Sequence, residues 1–99
     1  MVIRILDHVK SYSTYEDGEV IYRLLANELR ASRQVELSFA GIKSTPSAFI
    51  NSALIRLVEE FEFDDIKRRL HIVDSTRHIN RLIKDRFMFA TSGKRLATG

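Results

Sequence analysis

Three hydroxyl side chains lie around the only proline of the chain and could interact with a phosphate group. They are Ser44, Thr45 and Ser47, and an apolar helical pattern begins directly after them. The free N–H groups and the positive dipole end at the start of a helix stabilise a phosphate, whether it is covalently attached or part of a ligand. Alternatively, the hydroxyls only cap the helix, which accounts for Ser44 or Thr45 better than for Ser47. Ser47 is therefore the preferred contact residue.

A second candidate is a basic surface in the C-terminal part of the chain. Residues 1–61 contain 7 Lys and Arg against 8 Asp and Glu, whereas residues 62–99 contain 9 against 5, so the net charge of +3 is concentrated in the second part. The basic patch consists of Lys67, Arg68, Arg69, Arg77, Arg81 and Lys84. The last three are four and three residues apart, so they share one helix face. Such a patch attracts nucleic acid or acidic proteins, although a solvated helix face has the same composition.

Catalytic and metal-binding patterns are weak. The three histidines, His8, His71 and His78, are too scattered for a metal motif, and His71 lies in a predicted strand, where a structural role is favoured. The carboxylate pairs at 59–60 and 64–65 are adjacent in sequence, so they do not share a helix face as an acid–base couple would. Because no nucleophile, base and orienting group occur together, we expect no enzyme, no cofactor and no metal.

Composition indicates one ordinary globular domain. Apolar residues make up 44% of the chain and charged residues 29%, and the absence of cysteine fits a reducing compartment. No apolar run approaches the ~18 residues of a membrane span, and the N-terminus is too short and interrupted for a signal peptide. We expect a cytoplasmic protein without membrane contact, with a domain over residues 1–90 and a flexible tail over 91–99.

The predicted elements alternate between strands and helices. Strands are predicted at residues 2–6, 34–39 and 70–73. In the second strand, Val35, Leu37 and Phe39 face one way, and Glu36 and Ser38 face the other.

Apolar spacing predicts three helices, over residues 17–31, from the Ser/Thr loop to Phe61, and around residues 79–87. The last helix follows Asp74 and Ser75, which could cap it, and residues 64–69 form a charged connection. This order indicates a mostly parallel central sheet covered by about three helices.

The segment Val35–Phe61, which combines a strand, Gly41-Ile42, a Ser/Thr loop and a helix, resembles the STAS-like family of bacterial domains. These are relatives of the anti-sigma-factor antagonists. The similarity runs from about Ser13 to Phe87 and includes Asp17-Gly18 before the first helix and residues 70–73 before the last. The resemblance implies a small STAS-like α/β domain.

The resemblance also implies a regulatory module without catalysis, whose partner is often a histidine-kinase-like ATPase that phosphorylates or captures the Ser/Thr loop. In the antagonists an Asp-Ser-Ser/Thr-Gly loop carries the phosphoacceptor. Here Pro46 falls at the aspartate and Phe49 at the glycine, while Ser47 and Ala48 take the hydroxyl positions. STAS-like relatives usually have Ser-Phe where this chain has Ala48-Phe49. The hydroxyl thus stands one residue early in this chain, at Ser47, which is the possible phosphoacceptor.

We therefore expect a regulatory protein-binding module that engages its partner through the loop and the start of the second helix. The residues assigned to this contact are Ser44, Thr45, Ser47, Phe49 and Asn51. The alternative is a nucleic-acid-associated accessory protein that uses the basic patch on the last helix.

Overall fold

The chain alternates short strands with helices. The computed structural model describes the backbone of residues 1–98 and the side chains of residues 1–91. The elements are β1 (Val2–Arg4), α1 (Ile5–His8), α2 (Tyr15–Arg30), β2 (Val35–Ser38), α3 (Ser47–Ala53), a 3₁₀ helix (Ile55–Glu59), α4 (Phe63–Arg69), β3 (Leu70–Val73) and α5 (Arg77–Thr98). The predicted α/β class is confirmed, and α1 and α4 are added to the predicted helices.

The three strands form one parallel sheet in the order β1-β2-β3. Leu37 of the central strand pairs with Ile3 on one side and with Ile72 on the other. Parallel neighbours need long crossovers, which α2 provides between β1 and β2, and α3, the 3₁₀ helix and α4 provide between β2 and β3. The carboxyl ends of all three strands therefore meet at one edge of the sheet.

The central strand is buried on both faces at its carboxyl end. Val35, Leu37 and Phe39 are fully buried and Glu36 is exposed, as the alternation predicts. Ser38, on the face of Glu36, is buried as well, although its neighbours Arg4 and Glu36 on that face are exposed. Its hydroxyl donates to Asp74 Oδ2 at 2.7 Å and accepts from the Ala40 N–H at 3.2 Å, so burial leaves it paired.

Helix α2 begins with a capping box and packs closely on α3. The Thr14 hydroxyl accepts from the Asp17 N–H at 3.1 Å, and the Asp17 carboxylate accepts from the Thr14 N–H at 3.2 Å. One residue later, Gly18 faces α3 so closely that a Cβ atom there would lie 1.8 Å from Ser52 Oγ and 2.7 Å from the Phe49 carbonyl oxygen. Glycine is therefore required for the two helices to approach this closely.

The continuous helix predicted as far as Phe61 is wrong, because α3 ends at Ala53 and a 3₁₀ helix follows. The Ser52 hydroxyl donates to the Phe49 carbonyl, a local bond that competes with regular helix geometry and bends helices. In the tighter turn the Leu57 N–H donates to the Leu54 carbonyl at 3.0 Å. Both leucines consequently stay in the core, as their spacing predicted.

The charged connection predicted at residues 64–69 is instead part of helix α4. Its acidic residues lie in the first turn and its basic residues in the last, an arrangement that the helix dipole favours. The cap predicted for the last helix is also wrong: Thr76 accepts from the Ile79 N–H at 3.1 Å. Asp74 instead adopts a left-handed turn, with φ 53°, and is the acceptor for Ser38.

The predicted tail, residues 91–99, lies almost wholly outside the residues whose side chains are described, and its flexibility stays a prediction. The Thr91 hydroxyl, which is described, donates to the Phe87 carbonyl at 2.9 Å. Over the part of the chain that the structure describes, no helix is both long and apolar enough to cross a membrane.

Candidate functional site

The Ser/Thr loop leaves the carboxyl end of β2 and crosses the edge of the sheet where ligands bind in open α/β folds. Gly41 enters the loop with φ +85°, and a Cβ there would lie 2.9 Å from Leu6 Cδ1, so the turn favours glycine twice over. The chain then runs through Ser44 and Thr45 to Pro46, which is the N-cap residue of α3.

Two side-chain hydrogen bonds hold this loop from opposite ends. The Thr45 hydroxyl donates to the Tyr12 carbonyl at 2.8 Å, which ties the loop to the segment before α2. The Thr76 hydroxyl donates to the Lys43 carbonyl at 3.2 Å, which ties it to the start of α5. The loop therefore presents its exposed residues from a fixed backbone frame.

The structure divides the predicted loop residues into two groups. Ser44 and Ser47 are exposed, whereas Thr45 is 7% exposed and Phe49 is fully buried. Because their side chains turn inward, Thr45 and Phe49 position the loop and cannot themselves form the contact surface expected of them.

The capping interpretation of these hydroxyls is wrong. Pro46 occupies the N-cap position and no side chain caps the helix, so neither Ser44 nor Thr45 does so. Ser47 is the first helical residue, and its hydroxyl makes no hydrogen bond to the described residues. It is thus an exposed hydroxyl without a structural role in the fold.

Asn51 lies one turn after Ser47, on the same side of α3. It is half-buried, and its side-chain oxygen accepts from Arg86 Nε of α5 at 3.1 Å. Asn51 also lines a shallow depression of about 390 Å³. Two exposed aromatic residues line the same depression, Tyr15 at 46% and Phe89 at 69% exposure. The surface that starts at Ser47 therefore continues into a concave, partly aromatic area.

Two arginines give this depression a fixed charge. Arg56 lies 4.3 Å over the Tyr22 ring and donates to Glu19 at 3.2 Å. Burial lowers the pKa of Arg56, but the bond to Glu19 and the nearby tyrosines outweigh it and raise the pKa above its ordinary value. Arg86 lies 5.1 Å over the Phe89 ring. Exposed aromatic and arginine side chains together are typical of protein-binding surfaces.

Sequence reasoning did not identify Tyr15, Phe89, Arg56 or Arg86 as surface candidates. Only Phe89 carried a usable signal: it falls two positions after Phe87, which lies on the apolar stripe of α5, so it points away from the core. The others depend on how α2, α3 and α5 pack together, and that packing is not visible in local spacing.

The basic patch is only partly available. Arg68 forms an ion pair with Asp65 on its own helix, and the guanidinium of Arg69 donates to the Ser32 carbonyl. Four exposed cations remain, namely Lys67, Arg77, Arg81 and Lys84. The two lysines border a common groove between α4 and α5.

The histidines remain separate in the fold. His71 is on the outer strand β3, is exposed, and its Nε2 lies 3.1 Å from Gln34 Oε1. This contact at the sheet edge agrees with the structural role that the sequence favoured for His71. Across the described residues, no three His, Asp or Glu side chains come together in a group that could hold a metal ion.

The three-strand parallel sheet and its helices define the class as a compact α/β domain, which is consistent with a small STAS-like domain. A sequence model described as a STAS-like domain of unknown function (DUF4325) matches residues 17–80, well over half of the 99 residues. The chain belongs to this family. No curated protein matches the chain, and no solved structure does.

Proposed function

We propose that this domain is a non-enzymatic regulatory module that binds a partner protein through the loop after β2 and the outward side of α3. The contact surface contains Ser44 of the loop, Ser47 and Asn51 of α3, and the aromatic depression next to them. The cytoplasmic location expected from the sequence stays a prediction.

One observation supports this proposal above the others: a fixed loop with exposed hydroxyls opens onto a concave aromatic area. Binding surfaces that are already rigid lose little conformational entropy on association. The bonds from Thr45 and Thr76 supply this rigidity, and neither side chain is needed for partner contact. Tyr15 and Phe89 supply exposed aromatic area, the kind of side chain that contributes most at interfaces.

The partner class follows from the family resemblance, which suggests a histidine-kinase-like ATPase. Ser47 is the candidate phosphoacceptor, since its hydroxyl is exposed and free of hydrogen bonds to the described residues. The loop holds no carboxylate beside it, because Pro46 stands at the position of the antagonists' aspartate. A phosphate on Ser47 would add about −1.5 to −2 charges to the middle of the proposed interface.

A site-specific photocrosslinker at Ala48, the exposed second residue of α3, tests the proposed surface in cells of the source organism. We expect one dominant crosslinked protein, and we expect Ser47→Arg in the same chain to abolish the crosslink. Asn80→Arg places the same side chain on an exposed position of α5 and should leave the crosslink intact. Crosslinking that is insensitive to Ser47→Arg would show that the partner does not use this surface.

The partner recovered in this way allows the phosphorylation step to be tested separately. The purified partner and ATP should add one phosphate, which mass spectrometry locates at Ser47 and which Ser47→Ala removes. If Ser47 stays unmodified and Ser47→Glu binds as tightly as the wild type, the proposed regulation by phosphorylation of Ser47 is wrong. The interaction surface is tested independently by the crosslink.

The alternative function, nucleic-acid binding, is supported by the exposure of Arg77, Arg81 and Lys84 along α5. Charge reversal at Arg81 and Lys84 would weaken such binding, whereas changes at Ser47 and Asn51 would not. Random DNA that is shifted in low salt and released as salt rises would support this alternative. No shift at ~50 mM salt would count against it.

A further inference from the structure

A second concave surface lies away from the Ser/Thr loop, between α4, β3 and α5. It is a groove of about 500 Å³, a volume within the range of small-molecule sites. Its apolar lining includes Phe63, Ile66, Ile72, Ile83, Phe87 and Met88. Met88 is 54% exposed, so part of this apolar surface faces solvent.

The groove borders an unpaired sheet edge. β3 is an outer strand, and within the described chain no further strand pairs with it. The Phe39 N–H of the loop after β2 donates to the Val73 carbonyl at 3.0 Å. The N–H and C=O of Val73 therefore point towards β2. Because the backbone direction alternates along a strand, the N–H and C=O of Ile72 point outward, and no described residue bonds to them. A free donor and a free acceptor thus lie beside an apolar groove.

The groove also has an unbalanced positive charge. Lys67 of α4 and Lys84 of α5 both line it, and neither has a carboxylate within ion-pair distance among the described residues. The Lys67 ammonium lies 5.3 Å from the centre of the Phe63 ring, so its stem covers part of the apolar lining while its charge stays available. A complementary occupant carries negative charge next to apolar groups.

We propose that this groove binds an extended acidic segment of a partner protein, which adds a strand to the free edge of β3. Alternate side chains of such a strand point to the same side, about 7 Å apart, so its apolar residues enter the groove. Its carboxylates pair with Lys67 and Lys84. The free N–H and C=O of Ile72 take their missing partners from its backbone.

Two other occupants fit these observations less well. A second copy of the chain, joined edge to edge about a two-fold axis, brings Lys67 and Lys84 towards the same lysines of its mate, and like charges repel. An acyl chain with an anionic head fills the apolar groove and pairs with a lysine but leaves the backbone groups of Ile72 unpaired. A peptide satisfies all three features.

Selection from a displayed library of random 12-residue peptides, with the full chain as bait, tests the proposal. We expect enriched sequences in which Asp or Glu alternates with apolar residues. A fluorescein-labelled copy of the best peptide should bind at least tenfold more weakly to the Lys67→Glu/Lys84→Glu variant. Lys10→Glu changes an exposed lysine outside the groove and should leave the affinity unchanged. Both lysines of the groove are exposed, so the double variant should fold, which circular dichroism checks.

Backbone N-methylation of the peptide separates strand addition from other binding modes. Methyl groups on alternate N–H groups that face β3 should abolish binding, whereas methyl groups on the intervening N–H groups should not. The proposal is overturned if no peptide is enriched, if the enriched peptides lack acidic residues, or if the double charge reversal leaves binding intact. It is equally overturned if both methylated peptides bind and sodium oleate displaces them, or if the chain forms a dimer that Met88→Glu abolishes.

Discussion

Apolar side chains line both the contact between α2 and α3, which we call the packed side, and the groove between α4 and α5. The two regions differ in how completely those side chains are buried. At the first, Phe49 is fully buried and Gly18 lets the two helix backbones approach closely. At the second, Phe87 is still 7% exposed and Met88 lies largely in solvent. The comparison teaches that the domain closes its core on one side and leaves apolar surface open on another, where it is available to a partner.

Truncation of one phenylalanine on each side gives the largest expected contrast. Phe49→Ala should lower the free energy of unfolding by about 3–5 kcal/mol, since the cavity is enclosed by packed helices. Phe87→Ala should cost less, about 2–3 kcal/mol, because one side of the ring already borders the open groove and fewer contacts are lost. Urea unfolding followed by circular dichroism measures both.

Phe49→Ala could leave too little folded protein to measure, since domains of this size are stable by about 5–15 kcal/mol. The milder pair Phe49→Leu and Phe87→Leu then preserves the comparison. Equal losses at the two positions would contradict the distinction between a closed contact and an open groove.

Gly18→Ala tests the close approach of the packed side. In an isolated helix this change is stabilising by about 0.5–1 kcal/mol. Here the added Cβ meets Ser52 Oγ and the Phe49 carbonyl, so we expect a loss of about 1–3 kcal/mol instead. A loss of unfolding free energy would therefore confirm the close approach of α2 and α3, and a gain would contradict it.

A double variant locates the clash. Ser52→Ala removes the nearer atom and should recover part of the loss from Gly18→Ala, while the carbonyl contact at 2.7 Å remains. A stabilised Gly18→Ala variant would mean that α2 and α3 are farther apart than the structure shows.

Gly18 also illustrates how far the sequence could predict the fold. Apolar spacing predicted β2, β3 and α2 closely, because that signal lies within a few neighbouring residues. The end of α3 was missed, since it depends on the Ser52 bond and on packing that keeps Leu54 in the core. Helix α4 was not predicted, because Phe63 and Ile66 are its only apolar residues and charged residues occupy the rest of the segment.

The candidate surfaces show the same limit. The Ser/Thr loop was located from residue types, but the inward turn of Thr45 is set by Tyr12, 33 residues away in sequence. The lysines of the groove were identified as basic residues, yet their common groove exists only because α4 and α5 lie beside β3. Which residues are present could be predicted, whereas which ones meet required the tertiary structure.

Charge pairing differs between the two regions as well, and pH can test it. On the packed side, Arg30 of α2 holds Glu60 in a two-bond ion pair, one bond being 2.7 Å from Arg30 Nη2 to Glu60 Oε1. The hydrogen bond from Arg30 lowers the pKa of Glu60 below its ordinary value of 4.5. Lys67 and Lys84 at the groove have no such partner among the described residues.

A lowered pKa in the folded state means that the unfolded chain takes up the proton first as the solution is acidified. The stabilisation from Glu60 is thus complete above pH 4.5 and is lost as the pH falls through the folded pKa. Unfolding midpoints in urea between about pH 7 and about pH 3 should fall less steeply for Glu60→Gln than for the wild type. If the midpoints of Glu60→Gln and the wild type fall in parallel with pH, the ion pair between Arg30 and Glu60 does not stabilise the packed side. The effect is expected to be smaller than that of Gly18→Ala, because the pair is exposed.

The smallest effect on stability is expected at the groove. There, the effects of one variant on binding and on stability can be compared directly. Met88 is more than half exposed and borders the groove, so Met88→Gln should change the free energy of unfolding by no more than about 0.5 kcal/mol. The same variant should weaken the acidic peptide selected on the groove, because a polar amide replaces an apolar contact. A residue that affects binding but not stability belongs to a binding surface. A clear loss of stability would instead mean that Met88 is part of the core and that the groove is a packing defect. Asn80→Gln, at an exposed position on the same helix outside the groove lining, should change neither quantity.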